Sequence, residues 1–323
     1  MIYLYTGLAS PIGDMEGTLS YAQLSTANYI NLARDLSWLN SKNEEVTSRD
    51  GHVMGYICDI TLVSDVAASV NVFTAPNTWK MRNAFRKWHA YRDRMFEEAG
   101  VTDSEKGRYG KTIRPYLNDA MKSATLKSPI VVDGVGTPTL GEWTYTQIAA
   151  SPGFTDTGTG TQGGSIVDVY DLSICGPNVA TADSEGTERY TNVGMIHSYN
   201  EDRMEVVTPG ANETVEGQNN PLALLRYNSA TGGEVMEIAE DQELEKPPYD
   251  IKDDGDSVYP VYDGLSQMSP GWNGTASIPS LRTIRGVFVP AGVLLITASA
   301  AGGAAASAIQ IKCLGKVLCK DLA

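Results

Sequence analysis

The stretch from Asn77 to Gly100 constrains the fold of this chain most, because its pattern is typical of one long helix. Asn77 or Thr78 can accept hydrogen bonds from the first free backbone N–H groups, and Gly100 can close the far end in a left-handed conformation. Apolar side chains recur at the spacing of a single helical face, namely Met81, Ala84, Phe85, Trp88, Met95, Phe96 and Ala99. We therefore predict a long amphipathic helix over residues 77–99.

The opposite face of this predicted helix is basic, and its cations are candidates for a subunit contact: Lys80, Arg82, Arg86, Lys87 and Arg94. A solvated face, a contact with another copy of the chain and a contact with nucleic acid are all compatible with these residues. The formal net charge of −14 at pH 7 places nucleic acid last, because phosphate binding needs a basic surface. Arg92 falls inside the apolar arc, where it must snorkel or meet a carboxylate.

The remainder of the chain has the pattern of short strands separated by loops. Apolar and polar residues alternate with a period of two over residues 53–63, as in a strand. Apolar residues recur at Ile30, Ala33 and Leu36, which predicts a short N-terminal helix over residues 26–40. With 32 glycines in 323 residues, turns are frequent and the chain is predicted to be mainly β. Further strand candidates are 68–74, 112–117, 129–133, 143–148, 165–175, 188–198, 203–208, 235–239, 258–262, 284–289, 293–298 and 307–314.

The uncharged segment from Gly286 to Ile311 is long enough to cross a bilayer as a helix. Pro290 and several glycines interrupt it, and its end alternates like a half-buried strand. We expect strand, turn and strand here, and no transmembrane segment. The N-terminal residues have neither the basic start nor the apolar core of a signal peptide, so we expect cytoplasmic synthesis.

Motifs for catalysis and cofactor binding are weak. A GxGxxG pattern at 158–163 precedes a predicted strand, whereas a dinucleotide site needs a helix there. His52, His89 and His197 are scattered, and the four cysteines form no CxxC pair. We expect no catalytic residue, no cofactor and no firm metal site.

An acidic stretch at 234–256 leaves one metal alternative open. Asp253, Asp254 and Asp256 surround Gly255 and could hold calcium through their oxygens, although a solvated acidic loop is the preferred interpretation.

The arrangement of several segments resembles a known family. The runs GHVMGYICDITLVSD, ASVNVFTAPN and TWKMRNAFRKWHAYRDRMFEEAG, with the closing IRGVFVPAGVLLITASA and AIQIKCLG, resemble the jelly-roll major capsid proteins of small tailless phages. Some of these proteins carry two jelly rolls in one chain. The resemblance implies barrel strands with a helix-bearing loop, self-assembly into trimers and a shell, and no catalysis. Neither end of this sequence is a strongly basic arm of the kind that binds genome in many capsid proteins. We therefore expect weak genome contact, or a shell that encloses a membrane or relies on other proteins.

From these observations we predict a mainly β, jelly-roll chain, with two rolls at 1–176 and 177–323 or else one large β domain. The predicted function is that of a viral major capsid subunit, located in the virion, whose partners are copies of itself and other virion proteins. A phage spike or carbohydrate-binding sandwich is the alternative, with Trp143, Tyr145 and Trp272 as candidates for stacking on sugars. An enzyme that uses dispersed carboxylates such as Asp168 and Asp171 is the third possibility.

Overall fold

The structure is a computed structural model that describes residues 17–22, 24, 26–64, 68–102, 104–107, 110, 112–130, 138–150, 168–182, 188–204, 265–267, 272–273, 280–300 and 307–322. This part of the chain is mainly β. Its four α-helices are α1 Leu32–Leu39, α2 Trp79–Glu98, α3 Asp119–Ser123 and α4 Met195–Met204. Its strands are β1 Thr18–Tyr21, β2 Ala27–Asn31, β3 Met54–Ser64, β4 Ala68–Thr74, β5 Gln147–Ala150, β6 Asp168–Ser173, β7 Val179–Ala182, β8 Glu188–Gly194, β9 Ser266–Gln267, β10 Trp272–Asn273, β11 Ser280–Pro290, β12 Val293–Ala300 and β13 Ser307–Leu318.

Two antiparallel sheets combine strands from distant parts of the sequence. The first has the order β1-β13-β3-β11, and the second has the order β10-β4-β12-β2, with β9 also pairing with β4. The chain passes from the first sheet to the second at each of the steps β1 to β2, β3 to β4 and β11 to β12. Each sheet therefore contains strands from both sides of position 176. The strand pairing in these two sheets thus crosses the predicted boundary at residue 176. The division of the chain into two jelly rolls stays a prediction.

The apolar core includes the inward face of the first sheet, both faces of β12 and the buried side chains between α2 and the third sheet. Tyr56, Cys58, Ile60 and Leu62 of β3 are buried as their alternation predicts, whereas Val63 is 43% exposed. Every residue of β12 from Val293 to Ala298 is buried, and neighbouring residues of a strand point to opposite faces. The second sheet is therefore covered on both sides at this strand.

A third sheet, in the order β5-β6-β8-β7, belongs to the segment between β4 and β9. Its β6–β8 pair is parallel and its other pairs are antiparallel. Helix α2 packs against it through Trp88, whose ring centroid lies 6.4 Å from that of Tyr170 in an edge-to-face contact.

The predicted long helix is confirmed within two residues at its start. Thr78 caps it by accepting a hydrogen bond from the Met81 backbone N–H at 3.2 Å, and Gly100 has the left-handed φ of +73° that suits a helix end. The short N-terminal helix is also confirmed, but it begins only at Leu32, because residues 27–31 pair with β12 as a strand. The predicted strand, turn and strand are confirmed over residues 286–300, and no described helix has the length and apolarity needed to cross a membrane.

Several strand predictions differ from the structure. Residues 112–117 form a loop that touches the third sheet through a bridge between Tyr116 and Ser173. Residues 203–204 end α4, whereas 205–208 and the strand candidates at 235–239 and 258–262 lie outside the described residues. Residues 129–130 have no regular structure, and the rest of that candidate is also outside the described part.

Candidate contact surface on the longest helix

Helix α2 is held to the body of the protein along its apolar face. Met81, Ala84, Phe85 and Trp88 are completely buried, as their spacing predicts. Just before the helix, the Asn77 side-chain amide donates to the Cys319 carbonyl at 3.3 Å, which links the start of α2 to the end of β13. A contact surface on its other side would therefore sit on a fixed support.

The Arg92 guanidinium contacts groups that the sequence did not indicate. Its Nη1 donates to the Thr112 carbonyl oxygen at 2.5 Å, and its guanidinium carbon lies 5.6 Å from the centroid of the Phe96 ring. Burial lowers the pKa of Arg92, and the nearby Asp93 carboxylate opposes that shift. The backbone of the 112–117 loop is thus one partner of the Arg92 guanidinium.

The five predicted contact cations occupy different environments. Lys80 is buried and Arg82 is half-buried, whereas Arg86 is exposed. The Arg94 side chain is 42% exposed and pairs with Glu98 at 2.9 Å one turn along the helix. The basic stripe therefore reaches the surface mainly at Arg86 and Arg94, and its role in subunit contact stays a prediction.

Lys87 joins α2 to α4 through an ion pair. Its ammonium group meets the carboxylate of Asp202, whose side chain is only 1% exposed, while the Lys87 side chain is 26% exposed. The same ammonium lies 6.0 Å from the centroid of the Tyr199 ring. Lys87 therefore balances a buried charge, and its substitution would affect the fold as well as any surface.

The exposed face of α2 borders a cleft of about 520 Å³, which lies between the helix and the turn at residues 48–51. Its lining residues include charges of both signs. They are Arg49, Asp50, Asn83, Arg86, Lys87, His89, Ala90 and Asp93. A mixed-charge cleft fits a complementary protein surface better than the uniform negative charge of a phosphate backbone.

Gly51 sets how closely the turn approaches the helix. Its φ of +76° lies in the left-handed region, and a Cβ at this position would come within 2.7 Å of the His89 Cβ. The turn is closed by a hydrogen bond from the Gly51 N–H to the Ser48 carbonyl at 3.0 Å. A glycine is required here on both grounds, and the shape of the cleft depends on it.

Within the cleft, Asp93 is the acceptor for two cationic or polar groups. His89 Nδ1 lies 3.0 Å from one of its oxygens, and Lys106 Nζ lies 3.0 Å from the other. Nearby, burial lowers the pKa of His52, and the positive charges of Lys320 and Arg86 lower it further. The carboxylates of Asp50 and Asp321 oppose this shift of the His52 pKa, so charges of both signs act on this side chain.

The aromatic residues considered for sugar stacking have partners inside the protein. The Tyr145 ring stacks on Tyr116 with centroids 3.9 Å apart, and the Arg114 guanidinium carbon lies 3.9 Å from the centroid of the Trp143 ring. Tyr145 OH also accepts a hydrogen bond from the Asn31 side chain. The side chain of Trp272 lies outside the described part.

The structure describes only some of the side chains that the sequence analysis named as catalytic or calcium-binding candidates. Asp171 is buried and pairs with Lys122 Nζ at 2.7 Å, which gives it a structural partner. The side chain of Asp168 and the calcium candidates Asp253, Asp254 and Asp256 lie outside the described residues, so calcium stays a prediction. Among described side chains, no group of three or more His, Cys, Asp or Glu is placed to hold a metal.

The sequence did not indicate the other wall of the cleft. Asp50-Gly51 is a typical turn signal, but nothing in the sequence links this turn to a helix some thirty residues further along. Comparison of the chain with protein-family models, with curated proteins and with solved structures gives no match. The function must therefore be inferred from the strand order and the surfaces described above.

Proposed function

We propose that this chain is a viral structural protein, a capsid subunit with a jelly-roll body that assembles with copies of itself into the virion shell. The order in which the strands of the first two sheets pair is the observation that carries this proposal. The proposed function needs no catalytic residue and no cofactor.

The pairing of these strands supports the proposal, because it is the pairing expected when one long hairpin is rolled into a barrel. If the short β9 and β10 are taken as one interrupted strand, the two sheets contain eight strands in sequence. The first pairs with the eighth, the second with the seventh, the third with the sixth and the fourth with the fifth. Rolling this hairpin adds the β13–β3 and β12–β4 pairs and places successive strands in opposite sheets, except that the fourth and fifth strands lie together in the second sheet. Two antiparallel sheets of this kind are the basis of jelly rolls, which occur in viral capsid and lectin domains.

In this proposal the segment between β4 and β9 is an insertion in one roll, and α2 begins it. That placement matches the helix-bearing loop that the resemblance to phage capsid proteins implies. The two-roll arrangement stays a prediction, since residues 205–264 lie outside the described part of the chain.

A shell subunit must also offer surfaces that contact neighbouring copies repeatedly. The outer face of the first sheet has an apolar pair of this kind, because Leu281 is 69% exposed and lies directly opposite Val63, which is 43% exposed. The mixed-charge cleft beside α2 is the second candidate. A contiguous patch of exposed apolar side chains is typical of an interaction site.

Light scattering and negative-stain imaging of the purified chain, over a range of protein concentrations and with calcium or a chelator, test the proposal. Trimers or closed shells are expected. A chain that stays monomeric under all these conditions would contradict it and would favour the spike, sugar-binding or enzyme hypotheses.

Arg86→Glu tests the cleft as a contact surface. Because Arg86 is exposed, this reversal should change the free energy of unfolding by no more than about 0.5 kcal/mol while it weakens assembly. Lys42→Glu, at an exposed cation outside both α2 and the cleft, is the matched control and should assemble normally. Unchanged assembly of Arg86→Glu would show that the cleft is not a contact.

A further inference from the structure

Two cysteines face each other at the centre of the first sheet. Cys58 on β3 and Cys313 on β13 are direct partners in the antiparallel register, so their side chains lie on the same face of the sheet. Directly opposed residues of antiparallel strands have Cα atoms about 4.5–5.5 Å apart, which lies within the range that a disulfide spans. Both cysteines are free thiols in this structure.

We propose that Cys58 and Cys313 form a redox-sensitive pair that a peroxide converts into a cross-strand disulfide. This inference goes beyond the proposed structural role and does not depend on it. The pair joins strands that lie about 250 residues apart in sequence, so a bond here would tie the early part of the fold to its last strand.

The two thiols differ in a way that assigns them separate roles. Cys58 is completely buried, whereas Cys313 is half-buried and lies at a bulge in β13, next to Gly315. A hydrogen bond with Cys58 lowers the pKa of Cys313, as do a backbone hydrogen bond with Gly315 and the charge of Lys316, while burial opposes them. Thiolate character and access favour reaction with oxidants. Cys313 is therefore the attacking thiol and Cys58 the resolving thiol.

The proposed chemistry has two steps. The Cys313 thiolate attacks one oxygen of hydrogen peroxide, the O–O bond breaks, and Cys313 becomes a sulfenic acid as hydroxide leaves. The Cys58 sulfur then attacks the Cys313 sulfur, the S–O bond breaks, and a second hydroxide leaves. The protons of the two original thiols convert both hydroxides to water. Overall, two thiols are oxidised to one disulfide and one peroxide is reduced to two waters.

The two remaining cysteines provide internal controls. Cys175 and Cys319 are both completely buried, and burial raises the pKa of Cys319 to about 12. A buried thiol with a raised pKa reacts slowly with peroxide. Neither should be modified while the protein is folded.

The test is to treat the folded full-length chain with hydrogen peroxide, block the remaining thiols and map the peptides by mass spectrometry. The wild-type chain should lose two of its four free thiols, and its mass should fall by the two hydrogens of one disulfide, which should link Cys58 to Cys313. A folded wild-type chain that keeps all its thiols, or that forms a different linkage, would overturn the proposal.

Three variants separate the roles of the thiols. Cys58→Ser removes the resolving thiol, so the sulfenic acid at Cys313 should persist and be trapped by dimedone. Cys313→Ser should leave Cys58 unmodified, and Cys175→Ser should behave as wild type. Dimedone labelling that is absent from Cys58→Ser, or oxidation of Cys58 in Cys313→Ser, would contradict the assignment. The wild-type peptide map decides the proposal by itself if a variant does not fold.

Discussion

Replacing Lys87 by Met should destabilise the fold, although Lys87 lies on the basic face that the sequence assigns to subunit contact. The substitution keeps the apolar stem but removes the ammonium group that faces Asp202. Because the Asp202 side chain is only 1% exposed, its charge would then be buried without this partner. The exposed neighbour Arg86 has no comparable role, so Arg86→Met is the matched control.

The size of the effect follows from the burial of the two partners. Removing one member of a buried ion pair typically destabilises a protein by about 3–5 kcal/mol. The Lys87 side chain is 26% exposed, and the water that reaches it weakens the interaction, so about 2–3 kcal/mol is the better expectation. For a domain of this size the corresponding fall in Tm is roughly 4–12 °C. Arg86→Met should change stability by no more than about 0.5 kcal/mol.

Thermal and urea unfolding, followed by circular dichroism, measure these differences in the two single variants. A double-mutant cycle with Asp202→Asn then isolates the pair, because the amide removes the charge that Lys87 balances. The Lys87→Met/Asp202→Asn variant should be less destabilised than the two single effects predict together, with a coupling of about 1–3 kcal/mol. If Lys87→Met were as stable as Arg86→Met, or if the two substitutions were additive, the ion pair would not hold α2 to α4.

Three further predictions concern the cleft and the core. Gly51→Ala should destabilise the fold by about 1–3 kcal/mol, because its φ is strained for alanine and its Cβ would meet His89; an unchanged urea midpoint would contradict this. Arg86→Met should raise the pKa of His52 toward 6.5, because a repelling positive charge is removed, and a histidine NMR titration that shows no rise would refute it. Burial raises the pKa of Asp35 above 3.8, so the folded state holds this proton more tightly than the unfolded chain does. The stabilisation that the protonated Asp35 carboxyl gives is therefore fully present below pH 3.8. It is lost as the pH rises through the pKa of Asp35 in the folded state. The Tm of the wild type minus the Tm of Asp35→Asn should therefore fall as the pH rises from 3.8. A difference in Tm that rises with pH would contradict a raised pKa of Asp35.

Local patterns predicted the parts of the fold that need only neighbouring residues. The extent of α2 follows from a 3.6-residue apolar repeat and from Thr78 and Gly100 at its ends, all of which lie within one segment. The two-residue alternation of β3 likewise predicted its buried face. The start of α1 was placed too early, because residues 27–31 gain more from pairing with β12 than from continuing the helix.

The sequence alone determined that the described part of the chain is mainly β, that one long helix has an apolar and a basic face, and that residues 286–300 form two strands joined by a turn. Each of these follows from periodicity and from turn residues, which act over a few positions. Only the tertiary structure decided which strands pair, since pairing joins residues about 250 positions apart and depends on the sheet as a whole. It also decided which distant groups meet, because only folding brings Asp202 to Lys87, the 48–51 turn to His89, and Cys313 to Cys58.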